Sequence, residues 1–465
     1  MNEILQSHLV DRLADMVGAS NVSIDESRLD ELSWDALSES RLHPAKRPEV
    51  TVPLCSVLPS STDQVRRIVL LANEEKVPII PYGGGSGLMG GALSVRTGIV
   101  VDLRRMEQVI EVDTDARAVR VQAGTVLENL EKRLNQEGFI LGHDPWTLPV
   151  ATVGGAISTN SMGYRGGLYG AMGAQVLGLE AVLPSGEVLH TRAVPKSSAG
   201  VDLKALFIGG EGCFGIITEA TIRIFPSPEH RALHALSFES FETGYKAILE
   251  LFRQGLKPAL LDFGDANDMF HGVAILYLGF EGIREIVVAE EQRALSVCQR
   301  FGAMELPGKE AERFWRDRHE IARRFMRNRR ERRERGRDGV YRDWIHVALP
   351  ASKVLSFRAT AMKIIEKHGV RLQESGLWIQ PELFSMPLRI EDEGSHAAQL
   401  ALESTVDELI HLVHELGGSM EYTHGVGVKL APMMAEEHGY GLEIMRRIKR
   451  VLDPNNVMNP GKMDL

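Results

Sequence analysis

The sequence predicts an α+β fold: a first domain of mixed strands and helices, then a second domain of antiparallel sheet covered by helices. Two observations carry this. Up to about residue 230, short β-branched runs come as hairpins and single β-α-β steps, without the regular alternation of a doubly wound sheet. Beyond it, strands alternate with longer amphipathic helices, and no internal repeat is present.

The chain opens on "MNEILQSHLVDRLADMV", whose charged and apolar residues alternate at helical spacing, a surface helix rather than a signal peptide. "TDQVRRIVLLANEEKVPIIPYGGGSGLMGG" predicts a helix with Val65, Ile68, Val69 and Leu71 on one face, a buried strand "VPIIPY" and a glycine loop. "GIVVDL", "VIEVDTDARAVRVQAG" and "GLEAVLPSGEVLHT" predict strands that turn at "DTDA" and "PSGE". "TVLENLEKRLNQEGF" predicts a helix closed by Gly138. In the second domain, segments from "LSFESFETGYKAILELFRQGL" to "LESTVDELIHLVHELGG" alternate strands with amphipathic helices. Last, "HGYGLEIMRRIKRVLDPNNVMNPGKM" predicts a helix stopped at Asp453-Pro454 and an extended tail.

Composition bounds the rest. The 465 residues are 44% hydrophobic and 25% charged, as in a soluble globular protein of two or three domains. No run approaches the roughly 18 apolar residues of a membrane span. A net charge of −10 argues against nucleic-acid binding. Cys55, Cys213 and Cys298 match no zinc or redox spacing and are expected as reduced thiols of a cytoplasmic protein. Self-association is left open.

The loop "PYGGGSGLMGG" (81–91) packs six glycines into eleven residues. Without side chains in the way, its backbone N–H groups can converge on an anion. It is neither a Walker loop, for no Gly-Lys-Ser/Thr follows, nor a Rossmann turn leading into a helix. Alone it fits a phosphate loop and a structural turn cluster equally. A second cluster, "PVATVGGAISTNSMGYRGGLYG" (149–170), and a third, "FIGGEGCFGIITEATIRIFP" (207–226), change that balance. Three such segments in one domain suit a long ligand laid against backbone, such as FAD.

In order with "GIVVDLRRM" and the terminal "DPNNVMNPGKM", these segments resemble the FAD-linked oxidases of the vanillyl-alcohol-oxidase and p-cresol-methylhydroxylase type. More narrowly they resemble its D-lactate dehydrogenase, glycolate oxidase and alkylglycerone-phosphate synthase branch. The resemblance covers about residue 45 to the end. It implies an FAD-binding domain over 1–228, an α/β cap over the substrate at 229–417, and a segment 418–465 returning to the FAD domain. It places Gly83, Gly84, Gly85, Ser86 and Gly87 at the pyrophosphate, flanked by Pro81, Tyr82 and Leu88. Pro149, Thr152, Gly154, Gly155 and Ser158 would line the ribityl chain and ring, with Gly163, Tyr169 and Gly170 in the same segment. Glu211, Gly215, Ile216 and Ile217 would face the adenine or ring edge, and Asn459 the isoalloxazine. Some relatives tether flavin through a histidine in the first loop or a cysteine in the second. Here the first has Ser86 and Gly87 and the second neither residue, so the resemblance implies non-covalent FAD.

The stretch "EYTHGVGVKL" (421–430) resembles a Gly-Glu-His-Gly-x-Gly motif of the hydroxy-acid branch. There the glutamate joins two histidines of a His-x-Gly-Asp-Gly-Asn-x-His segment to hold a divalent metal. Here the glutamate position is Thr423, and "QESGLWIQPELFSMPLRI" holds no histidine, so no metal is expected. His424 stands at the relatives' proton acceptor. An imidazole titrating near ~6.5 can take a hydroxyl proton as hydride leaves for the flavin. Arg318 matches the arginine that grips a substrate carboxylate in relatives. Tyr422, Trp378, Gln380 and Glu382 are further pocket candidates, Glu382 as a replacement acid or base; Trp378 and Phe384 also suit a core.

The implied activity is an FAD-dependent oxidoreductase, metal-independent, taking hydride from a hydroxyl-bearing carbon of a small-molecule alcohol or hydroxy acid. The alternatives are an alkylglycerone-phosphate-synthase-like transferase without net redox, and a non-catalytic electron-relay subunit. Thr97, at the position that gates oxygen in relatives, leaves the electron acceptor open. The run 323–337, nine arginines against two glutamates, is read as a solvated helix or loop, or as a surface for an anionic partner.

Overall fold

The computed structural model describes residues 3–42, 48–266, 273–327, 339–391 and 396–465. The first sheet comprises β1 (Val22–Ser23), β2 (Cys55–Val57), β3 (Ile79–Tyr82) and β4 (Ile99–Asp102) in the order β1-β2-β4-β3. β4 runs parallel to both β2 and β3. The helix Thr62–Glu75 crosses over between them. It starts where the Ser61 hydroxyl accepts the Gln64 N–H and ends where Lys76 turns left-handed at φ 54°. Val65, Ile68, Val69 and Leu71, the expected face, are buried. Each such side chain contributes roughly 1.5–3 kcal/mol.

The second sheet holds β5 (Val109–Asp113), β6 (Ala118–Gln122), β7 (Phe139–Leu141), β8 (Val176–Val182), β9 (Val188–His190) and β10 (Ile216–Pro226). Its order is β5-β6-β10-β8-β9, with β7 on β10. The turns expected at "DTDA" and "PSGE" close the β5–β6 and β8–β9 hairpins.

The third sheet contains β11 (His230–Phe238), β12 (Leu260–Ala266), β13 (Ala274–Gly282), β14 (Met304–Glu305), β15 (Val340–Ala348), β16 (Arg371–Leu372), β17 (Glu374–Trp378) and β18 (Leu383–Glu391). Its order is β14-β11-β13-β12-β17-β18-β15, with β16 on β18, and its pairings are antiparallel. The boundary expected at 228 lies between the end of β10 and the start of β11. Amphipathic helices cover this sheet; Phe241, Tyr245, Ile248 and Leu251 of the helix Phe241–Arg253 are buried.

Two features fix the course of the C-terminal segment. The segment after residue 418 lies along the edge strand β15, with bridges between Ala348 and Ser419 and between His346 and Glu421. After the helix Tyr440–Leu452, the Asp453 carboxylate accepts the N–H groups of Val457 and Met458 and pairs with Lys449 at 2.6 Å. That turn lays Met458 beside Ile79 of β3.

A buried charge network joins the first domain to the cap. Arg165 reaches Glu131 at 3.0 Å and Glu281 of β13 at 3.2 Å, while Asp144 holds Arg318 at 3.0 Å and His319 at 2.8 Å. The three cysteines are buried and free, and burial pushes each thiol up to about 12. No helix among the described residues is long and apolar enough to cross a membrane. The arginine-rich run from residue 328 on lies outside the described residues.

Candidate active site

The first two sheets and the C-terminal segment form the walls of a cleft. Its walls include Pro81 to Leu88, then Thr152, Gly154, Gly155 and Ser158, then Glu211, Gly215, Ile216 and Ile217, with Thr423 and His424 also lining it. Five expected cofactor residues, Pro149, Gly163, Tyr169, Gly170 and Asn459, are not among the lining residues. Tyr169 packs on Phe225 at 4.2 Å between ring centroids. Asn459 braces the walls instead, donating to the carbonyls of Gly91 at 2.9 Å and Glu211 at 2.6 Å.

The fit to a dinucleotide follows from the chemistry of the wall. A Cβ on Gly84 would lie 2.0 Å from the Val150 carbonyl oxygen, so the glycine loop presses flush against the second glycine segment. The lining contains no lysine or arginine, only the acids Asp35 and Glu211. A pyrophosphate there has to be met by backbone N–H groups, which this loop supplies without side chains. The lining has no cysteine, and His424 is its one histidine.

His424 is held by a short chain of contacts. Glu421 Oε1 accepts the backbone N–H groups of Tyr422, Thr423 and His424 at 3.0, 2.8 and 3.0 Å. Its Oε2 faces His424 Nδ1 at 3.4 Å. The loop is then docked from both sides. Glu211 accepts N–H bonds from Val426 at 2.5 Å and Gly427 at 2.9 Å, and the Met89 carbonyl accepts from Val428 at 2.9 Å. A Cβ on Gly427 would lie 1.9 Å from that same carbonyl, which is why "HGVG" needs its second glycine. Burial raises the Glu211 carboxyl to about 7, against the opposing N–H bonds.

The other catalytic candidates fare differently. Tyr422 is half-buried beside His346, ring centroids 5.7 Å apart, and its buried hydroxyl has no hydrogen-bond partner among the described residues. Burial, then Glu421, pushes that phenol well above its usual range. Arg318 is already engaged: its Nε donates to Asp144 and its guanidinium lies 3.9 Å over Trp315. Burial opposes the ionised form of Asp144, but Arg165, His319 and Arg318 together hold its carboxyl well below the usual range. Glu382 does not line the cleft; its backbone carbonyl accepts from Leu349. Phe384 is core, whereas Trp378 donates its indole N–H to Asp262 at 2.7 Å and packs on Tyr164 at 4.9 Å. Thr97 is exposed and is not among the cleft residues.

Sequence reasoning missed Glu421, His346 and Asp262. The ground for expecting no metal was that two histidines and a carboxylate were lacking, and this needs correction. His346, Glu421 and His424 place ligand-type atoms within 4.8 Å of one another. His346 comes from β15, far from the stretch where histidines were sought, and its imidazole stands edge-on to His424 at 4.5 Å. Burial, then His424, lowers its pKa well below the usual value.

A glycine-walled cleft for a flavin dinucleotide, with a histidine in its lining, defines an FAD-dependent oxidoreductase. The comparisons make the class particular. Residues 53–192 match the FAD binding domain family and residues 227–463 the FAD linked oxidases, C-terminal domain. The chain belongs to the FAD-linked oxidases. It is 30% identical to a D-lactate dehydrogenase of Archaeoglobus fulgidus, over 92% of this chain and 95% of that one. It is 27% identical to the glycolate oxidase subunit GlcD of Bacillus subtilis, over 89% of each. The fold superposes on p-cresol methylhydroxylase with a TM-score of 0.79 at 17% identity, covering 99% of this chain and 96% of that one.

Proposed function

We propose that this FAD-linked oxidoreductase oxidises a hydroxyl-bearing carbon of an alcohol or hydroxy acid, with His424 as the proton acceptor. The observation that carries the reading is the placement of His424 on the wall of the FAD cleft with its Nδ1 turned to Glu421. A neutral imidazole has one N–H. With that proton on Nδ1 and directed at the carboxylate, Nε2 is the basic nitrogen, free to take the hydroxyl proton as the carbonyl forms. Bound FAD supplies the hydride acceptor. Glu421 keeps the tautomer and balances the imidazolium that results. FAD is held without a covalent bond.

The engagement of Arg318 by Asp144 favours an alcohol over a simple 2-hydroxy acid, because a substrate carboxylate would have to displace a buried partner. The names of two relatives, a D-lactate dehydrogenase and a glycolate oxidase subunit, support the hydroxy acid. Anaerobic titration of the flavin band with D-hydroxy acids and aromatic and aliphatic alcohols decides between them. A protein that no member of either series reduces contradicts the reading and favours exchange without net redox.

A second reading rests on the His346, Glu421 and His424 cluster. A divalent cation there would take the place of the Nδ1 proton, and His424 would be a ligand rather than a base. Sensitivity of flavin reduction to chelators separates the two.

A further inference from the structure

Outside the cleft, two histidines share one carboxylate. His411 and His414 lie three residues apart on one face of the helix His396–Glu415. Their Nδ1 atoms sit 2.6 and 2.8 Å from Oε2 and Oε1 of Glu436, in the helix Met434–His438. The other nitrogen of His414, Nε2, lies 2.8 Å from Glu437 Oε2. Glu437 is itself fixed, accepting the Ser419 hydroxyl at 2.7 Å and the Met420 N–H at 3.0 Å.

Hydrogen-bond arithmetic leaves this cluster one positive centre short. The single proton of a neutral His414 belongs on Nε2, where Glu437 waits. Its Nδ1 is then a bare lone pair aimed at a carboxylate oxygen, and that buried nitrogen has no hydrogen bond among the described residues. A metal-bound histidine typically presents this pattern, one nitrogen on the ion and the other N–H on a carboxylate. The ligand-type atoms of His411, His414 and Glu436 fall within 4.8 Å of one another. Two imidazoles and a carboxylate form a three-ligand set for a borderline divalent ion such as zinc, with a fourth position for water.

We propose that His411, His414 and Glu436 bind a divalent transition ion of the zinc class, oriented by Glu437. The ion clamps the helix His396–Glu415 to the helix Met434–His438. Through Glu437 it also fixes the backbone at Met420, next to the residue that holds the His424 loop. The site is independent of the flavin and of the substrate assignment.

The test uses full-length protein stripped with a chelator and titrated with zinc against a chromophoric competitor. Wild type retains one equivalent and gains thermal stability on loading. His411→Ala, at a half-exposed position, loses at least tenfold in zinc affinity and the stability gain with it. Glu437→Gln weakens binding by about 10–100-fold, the usual effect of removing a carboxylate behind a ligating histidine. His346→Ala keeps the equivalent. A wild type that retains no zinc overturns the proposal, showing that a second proton on His414 fills the gap. So does a His411→Ala protein that binds as wild type, or an equivalent that disappears with His346→Ala.

Discussion

Glu421 grips His424 twice: its carboxylate accepts the residue's backbone N–H at 3.0 Å, and both its oxygens face the Nδ1, at 3.3 and 3.4 Å. Backbone and ring are thereby set by the same side chain. Glu421→Gln keeps an acceptor for the backbone but can turn an amide N–H toward Nδ1, which moves the imidazole proton to Nε2 and blocks it as a base. Stopped-flow flavin reduction is expected to slow about 10²–10⁴-fold with FAD still bound. A variant that reduces at the wild-type rate removes Glu421 from the mechanism.

The glycine loop is sensitive at Gly84 because its missing Cβ faces the Val150 carbonyl rather than open space. Even Gly84→Ala must push the two glycine segments apart, at the roughly 1–3 kcal/mol of an overpacked contact. FAD retention after gel filtration should fall about tenfold or more, and full flavin occupancy would refute the loop's role. In wild type, acid precipitation should release all the flavin, whereas yellow colour left in the pellet would show a covalent tether.

Arg165 faces Glu131, Glu281 and Asp144 from a buried position. Arg165→Ala strands those acids, and breaking such a buried set costs about 3–5 kcal/mol. Urea unfolding should show that loss; a midpoint unchanged from wild type would mean that the network does not join the domains.

Glu211 gives a pH signature. Its folded pKa is raised from 4.5 to about 7, so between those values the folded state binds the extra proton and stability falls as pH rises. Glu211→Gln has no charge to bury. The melting temperature of the variant relative to wild type should therefore climb from pH 5 to pH 7. A constant difference would show that Glu211 does not titrate there.

Chelation discriminates between the readings of the His346 cluster. Dialysis against a chelator should leave the flavin reduction rate within about twofold, since a base needs no ion. A loss restored by added divalent metal, and seen equally in His411→Ala, would make His424 a ligand.

The FAD cleft was legible because its determinants are local. Strands followed by glycine runs stay contiguous in the fold, and Thr152, Gly154, Gly155 and Ser158 line the cleft together. The substrate end was less so. His346 is brought to Glu421 by a bridge on the β15 edge, 75 residues along the chain, and no spacing rule links the two. Arg318 was legible as an arginine, but its engagement by Asp144 depends on a charge network between domains. Glu421 stands inside the motif but two residues before Thr423, the relatives' ligand position, so the motif itself assigns it no role. Counting the orphan N–H groups of the turn would have found it.

The most direct measurement is single-turnover flavin reduction by His424→Ala under anaerobic conditions, at saturating concentration of the substrate that bleaches wild type. The account predicts normal FAD content and reduction slowed about 10²–10⁴-fold. Reduction at the wild-type rate would contradict it and move the proton acceptor elsewhere.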